Sequence, residues 1–372
     1  MERIEVRANA SRRRPLPRKF QAALLAMCGA ALLSAPPTTL GTAPAQAQSK
    51  ELLLYNWSNY ISPDLLKRFE KETGVKVSLD TYDSNETMLA KLQAGGAGYD
   101  VVVPTGPTVQ AMIRSDLLMK IDASKLSNFK NVRTPFDKPD FDPERAYSVP
   151  YMWGTTGLAY DSAKIGGAKI EDSWKELFEP RPEYVGKIGM LKDTNEVLGS
   201  AAYYLGYDYC FDKPEQGQKV LELLEKQKAA VKVYNSEGTA DRVGGGDVSM
   251  ELMWNGAYHR AHKKLASVLF VYPKEGLNFW ADNFSIPKGA KNVDNALLFL
   301  NWIMDPKNAA EASNFVGYNN AIKGSDQYLD PSLREDPAVN TPEEFTSRLR
   351  PLRDCPKAAV DLKEKIWTRL LR

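Results

Sequence analysis

Leu52-Leu53-Leu54-Tyr55-Asn56-Trp57-Ser58-Asn59-Tyr60 is an apolar run that ends abruptly in two large aromatics interleaved with small hydrogen-bonding residues. A short apolar run reads as a buried strand. Behind it, Ser62 stands at a helix N-cap and Pro63 at the first helical position, Leu65, Leu66 and Phe69 follow at helical spacing, and Gly74 is a stop. The order is strand, loop, helix. In open α/β sheets ligands lie outside the carboxyl ends of strands, which is where Trp57 and Tyr60 fall. Packing of both rings against the following helix is the competing reading.

The same alternation continues outward. β-rich runs at 75–82, 99–105, 187–191, 231–235, 248–254 and 269–272 alternate with helical patterns at 86–93, 195–205, 215–228, 293–304 and 357–371, which predicts an α/β class. There is no internal repeat and no long linker. The stretch from Pro135 to Gly157 and the run Phe279 to Pro287 are candidate crossings between two lobes.

Residues 12–47 carry the parts of a secretory signal: basic Arg12, Arg13, Arg14, Arg18 and Lys19, an apolar run from Phe20 to Ala35, and Ala45-Gln46-Ala47 as a cleavage site. Residues 1–47 are therefore expected to be removed by ordinary secretion, leaving about 325 residues, enough for two domains. The leader's seven basic and two acidic residues account for the formal charge of +2, and the remainder carries −3. A mildly acidic chain has no footprint for nucleic acid and favours a cationic ligand. No later segment is apolar for long enough to span a membrane, so no direct membrane insertion is expected. Past the leader the cysteines are Cys210 and Cys355. An oxidising compartment permits a disulfide between them, and sequence alone leaves their pairing open.

The chain has two histidines, His259 and His262, and lacks both a Gly-x-Ser-x-Gly elbow and a His-Glu-x-x-His zinc motif. The two histidines stand among Arg260, Lys263 and Lys264, which reads as a solvated helix face, and no metal site is expected. Gly244-Gly245-Gly246 enters a strand where a phosphate loop would leave one, and is read as a turn.

Six segments resemble the periplasmic spermidine/putrescine-binding proteins of polyamine ABC transporters. They are Asn56-Trp57-Ser58-Asn59-Tyr60, Tyr82-Asp83-Ser84-Asn85-Glu86-Thr87, Tyr99-Asp100-Val101-Val102-Val103-Pro104-Thr105, Pro150-Tyr151-Met152-Trp153-Gly154-Thr155, Trp254-Asn255-Gly256 and Pro273-Lys274-Glu275-Gly276. They occur in that family's order, and the likeness spans about Leu52 to Asn320. The resemblance implies a type II periplasmic-binding-protein fold, two α/β lobes around a ligand cleft with hinge crossings. Residues 48–154 and 281–326 would form lobe 1, and 155–280 and 327–372 lobe 2.

Position within the matching motifs implies a ligand-binding set of Trp57, Ser58, Tyr60, Thr105, Asp193, Glu196, Ser236, Trp254, Trp280, Asp282 and Tyr318. Asp282 would hold one ammonium group, Glu196 and Asp193 another, and Trp254 and Trp280 would sandwich the methylenes. That division suits a polyamine, because a buried ammonium needs a carboxylate and a methylene chain needs apolar or aromatic walls. Asp193 and Glu196 also stand where acids cap a helix, so a purely structural role competes for them. Asn59, Pro107 and Ala257 depart from the family pattern, where acids or an aromatic often stand. Spermidine is favoured and putrescine is the second choice. No catalytic residue and no cofactor are expected; the partners are the polyamine and the membrane permease of an ABC transporter, with the chain a periplasmic monomer. The alternatives are a binding protein for another organic cation and a secreted hydrolase using paired carboxylates.

Overall fold

The computed structural model describes residues 49–95 and 98–372, so the expected leader lies outside the described residues. β1 (Glu51–Trp57) is the buried strand expected from the opening segment. It lies in parallel between β2 (Lys76–Tyr82) and β3 (Val101–Val102), so Trp57 comes at a carboxyl end. The helix Pro63–Thr73 starts on Ser62, whose side chain accepts from the amides of Asp64 and Leu65, and ends at Gly74 with φ of 73°. Its apolar stripe, Leu65, Leu66 and Phe69, is buried, and each such side chain contributes roughly 1.5–3 kcal/mol.

β4 (Ser148–Asp161) is the long strand at the centre. After it come β5 (Ile188–Met190), β6 (Val231–Tyr234), β7 (Met250–Trp254), β8 (Val268–Val271), β9 (Leu277–Ser285), β10 (Asn319–Asn320) and β11 (Leu349–Pro351). The strand order is β2, β1, β3, β9, β4, β7, β5, β6, with β8 and β10 also on β4 and β11 on β9. β4 pairs with β9 through Ser148 to Thr155 and with β7 through Thr156 to Tyr160. One strand thus pairs into both halves of the sheet, which is why the residues around Gly154 form a crossing. β9 is the second crossing. Its Leu277 packs in one core, while its Phe284 packs in the other. Gly154 is required where they meet, because a β-carbon there would overlap Asn255 Oδ1 and the Trp280 ring.

One core gathers Leu52, Leu54, Phe69, Phe284 and Phe299; the other gathers Leu158, Trp174, Met190, Leu198 and Leu252. Trp254 touches both, at the waist between them. The segment after Asn320 serves both sides: Leu329, Leu333 and Val339 pack with Ala310, whereas Asp336 pairs with His259 and Ala338 packs with Val243 and Ala257.

The expectation of a solvated face at the two histidines is corrected. His259 is buried, with Nδ1 2.7 Å from Asp336 Oδ2, and half-buried His262 sets Nδ1 2.8 Å from the Val268 carbonyl. The helix Asn255–Lys264 is covered on that face by the segment carrying Asp336, a long-range contact that charge patterning does not register. Cys210 and Cys355 are joined as a disulfide, which resolves the open pairing. That bond pins the start of the C-terminal helix Lys357–Leu370, whose Ile366 and Leu370 complete the second core. The helix Pro214–Lys228 accepts it closely at Gly217, where a β-carbon would overlap Leu362.

Candidate functional site

Where the strand ends of the two halves face each other there is a cavity of about 440 Å³. Its lining includes all eleven residues of the expected binding set, together with the three departures Asn59, Pro107 and Ala257.

On the first side the loop after β1 turns through Asn59, at φ 56°, a left-handed conformation that asparagine tolerates. The turn sends Tyr60 inward, where its hydroxyl donates to Asp282 Oδ2 at 2.7 Å. Tyr60 is fixed from behind by Tyr151, which donates to its carbonyl at 2.6 Å, and by edge contacts with the Tyr151 and Tyr318 rings. Asp282 sits on β9 opposite Thr105, 5% exposed, and its other oxygen, Oδ1, is buried with no hydrogen-bond partner. Burial raises its carboxyl to about 8; the Tyr60 hydrogen bond opposes the rise, and Glu196 and Asp193 add to it. A buried carboxylate with one oxygen unpartnered gains strongly from a positive group. Trp280, two residues earlier on the same face of β9, is 5% exposed and meets the Tyr318 ring edge-on. Trp280 lies inside β9, three residues from its start. Trp57 donates its Nε1 to the Val103 carbonyl at 2.8 Å, which sets its indole against Trp254, 6.1 Å between ring centres.

On the second side Asp193 is the N-cap of the helix Thr194–Tyr204, its Oδ1 accepting from the amides of Asn195 and Glu196 at 2.9 and 3.0 Å. The structural role considered for Asp193 is therefore real, and the same residue also lines the cavity. Glu196, one turn in, accepts from Trp254 Nε1 at 3.2 Å and from Asn278 Nδ2 at 2.7 Å. Burial raises its carboxyl to about 7, with Asp193 adding to the rise and the Asn278 and Trp254 donors opposing it. Ser236 accepts from the Lys192 amide at 3.0 Å. Beyond it, Glu237 reaches across the cleft and accepts from the Ser58 hydroxyl at 2.7 Å. Arg114 and Asp354 form a second link across the opening. These contacts describe a closed cleft.

Sequence reasoning missed several lining residues. Tyr82, whose hydroxyl donates to the Val103 carbonyl at 2.6 Å, lay inside a quoted motif but was given no role. Tyr209, Lys363 and Glu364 come from the disulfide-linked region, where no local signal pointed to a ligand. Across the lining there are nine carboxylates and four basic side chains, so the cavity is acidic overall. Its walls are aromatic, and its buried acids come from both sides, Asp282 from β9 and Asp193 and Glu196 from the helix Thr194–Tyr204. The arrangement suits a slender cation with charges at intervals and apolar spacers between them.

The family model for bacterial extracellular solute-binding proteins matches residues 64–341. The chain is 37% identical over 310 residues to the spermidine/putrescine-binding periplasmic protein of Salmonella typhimurium, covering 83% of this chain and 88% of that one. It is 34% identical over 341 residues to the putrescine-binding periplasmic protein SpuD of Pseudomonas aeruginosa, covering 87% of this chain and 92% of SpuD. Among solved structures, the TpPotD lipoprotein of Treponema pallidum superimposes with a TM-score of 0.75 at 28% identity, covering 87% of this chain and all of that one (100%). The Salmonella and Pseudomonas relatives are named as binding proteins, and no helix among the described residues is long and apolar enough to cross a membrane. The chain belongs to the bacterial extracellular solute-binding protein family.

Proposed function

We propose that this chain is a periplasmic binding protein that encloses a polyamine between its lobes and delivers it to the permease of an ABC transporter. The observation that carries the reading is Asp282, a buried carboxylate with Tyr60 on one oxygen and nothing on the other, set among Trp280, Tyr318 and Tyr82. An ammonium group at Oδ1 would meet a charge it neutralises and aromatic faces that favour a cation. Glu196 and Asp193 offer the partner for a second ammonium, and Trp254 and Trp280 flank the span between. No bond needs to be made or broken, so the protein acts as a carrier monomer without catalytic residues. The names of the similar proteins, which include putrescine and spermidine, support the ligand class.

The test is calorimetric titration of putrescine, spermidine and spermine, beside basic amino acids, into protein unfolded and refolded to remove carried ligand. One-to-one binding of a polyamine supports the reading. A refolded protein that ignores all three and takes another organic cation would transfer the function to that ligand, and turnover of any of them would restore the hydrolase alternative.

A further inference from the structure

The C-terminal helix places an unusual residue at the Asp193 end of the cavity. Lys363 lines it while only 3% exposed, and its ammonium makes no hydrogen bond. What holds it is aromatic: Nζ lies 3.5 Å from the centre of the Tyr209 ring and 5.9 Å from that of Phe211. Cys210 stands between these two residues and is bonded to Cys355, just ahead of the helix that carries Lys363. The cation and the rings that receive it are therefore tied together covalently. Of the buried carboxylates along the cavity, Asp193 interacts with Lys363 most strongly, while Asp282 is held by Tyr60 on the other side and Glu196 by Trp254 and Asn278.

We infer that Lys363 is a specificity-determining residue, a built-in ammonium at the Asp193 end that stands in for one ligand charge and biases the site toward diamines over triamines. The inference rests on the polyamine reading. Three buried carboxylates and one fixed cation leave two charges for the ligand to neutralise. A diamine does so with its two ends, near Asp282 and Glu196. A third ammonium must settle beside Asp193, where Lys363 already stands, and two like charges in one buried site oppose each other strongly. Glu237 is exposed and screened by water and compensates little, and Glu86, raised to about 8 by burial and by Asp193, is mostly uncharged at neutral pH. The sequence-based preference for spermidine rested on motifs that do not include this helix.

Burial lowers the Lys363 ammonium to about 7, with Asp193, Asp208 and Glu86 raising it and Arg353 lowering it further. Its charge is thus present below neutrality and fades above it, which gives the experiment a second axis. Putrescine and spermidine are titrated by calorimetry into refolded wild type, Lys363→Met and Lys363→Arg at about pH 6.5 and about pH 8. At the lower pH, Lys363→Met should raise the spermidine-to-putrescine affinity ratio roughly tenfold, and Lys363→Arg should keep it near wild type. In wild type the ratio should rise with pH more steeply than in Lys363→Met, where only the cavity acids titrate, a difference that a merely structural lysine would not produce. Thermal melts check folding, with Lys363→Gln as the replacement if the methionine variant fails to melt cooperatively. Equal ratios in wild type and Lys363→Met at the lower pH overturn the inference while leaving the polyamine reading intact. Failure of wild type to bind either amine defeats the polyamine reading itself, and this inference with it.

Discussion

The two ends of the cavity use the same chemical group in opposite ways. At one end, Asp282 has a tyrosine on one oxygen and leaves the other bare and buried. At the other, Asp193 gives one oxygen to two helix amides and has Lys363 as a charged neighbour. Asp282 has one oxygen whose demand the protein does not meet. Asp193 is answered in part: burial still raises its carboxyl, but the amides of Glu196 and Asn195 and the neighbouring Lys363 oppose the rise. Nominal charge therefore says little about which acid grips a ligand; what matters is how much of its demand the fold has satisfied.

The largest effect expected from this contrast is at Asp282. Asp282→Asn keeps the shape and an acceptor for Tyr60 but removes the charge, and should weaken polyamine binding about 100-fold or more by calorimetry. The empty variant should melt no lower than wild type, because the substitution also removes a buried uncompensated acid. If affinity falls less than for Asp193→Asn, the contrast is reversed and the ligand end has been misassigned. Next comes Glu196→Gln, with a loss of about tenfold, since two neutral donors already share its charge.

pH sharpens the comparison. Both Asp282 and Glu196 are raised by burial, to about 8 and about 7. A raised carboxyl contributes stability that is fully present below its unfolded value of roughly 4 and is lost as pH climbs through the folded value. The empty protein should accordingly lose thermal stability between about pH 4 and 8 from these groups. A bound cation reverses the sign, so putrescine affinity should increase from about pH 6 to 8, and Asp282→Asn should remove most of that slope.

Smaller effects follow at the other end. Asp193→Asn preserves a good N-cap and should cost binding only about threefold, whereas Asp193→Ala should also lower stability by about 1 kcal/mol through loss of the cap. Denaturant unfolding of both variants separates the two roles. Ser58→Ala breaks the exposed link to Glu237 and should speed ligand release by only a few fold in stopped-flow measurements, as exposed polar contacts contribute little.

The same contrast explains what was legible in the sequence. Trp57, Tyr60, Asp282 and Trp280 follow or lie within strands whose period and ends are visible in a linear reading, and their motifs carried a family resemblance. The Asp193 end depends on a residue near the chain's end, on rings at positions 209 and 211, and on a disulfide whose cysteines are 145 residues apart. Lys363 on a basic amphipathic helix reads as one more surface charge, and only the packing of that helix makes it a buried one. His259 misled for the same reason: its partner Asp336 is distant in the chain.

The crossings have a mechanical consequence. β4 and β9 are not separate tethers, because they are hydrogen-bonded neighbours in register from Trp153 with Ala281 to Thr155 with Phe279. A pair of laced strands bends like a leaf spring: stiff against shear and stretch, compliant mainly along one direction. Such a hinge favours opening and closing of the jaws along one direction, so that the grip at one end of a guest is coupled to the grip at the other. A guest that is too long or carries charge in the wrong place would wedge the whole clamp ajar by an amount set by its poorest contact. The angle between the jaws becomes a gauge of fit, readable from the outside by a partner that never touches the guest.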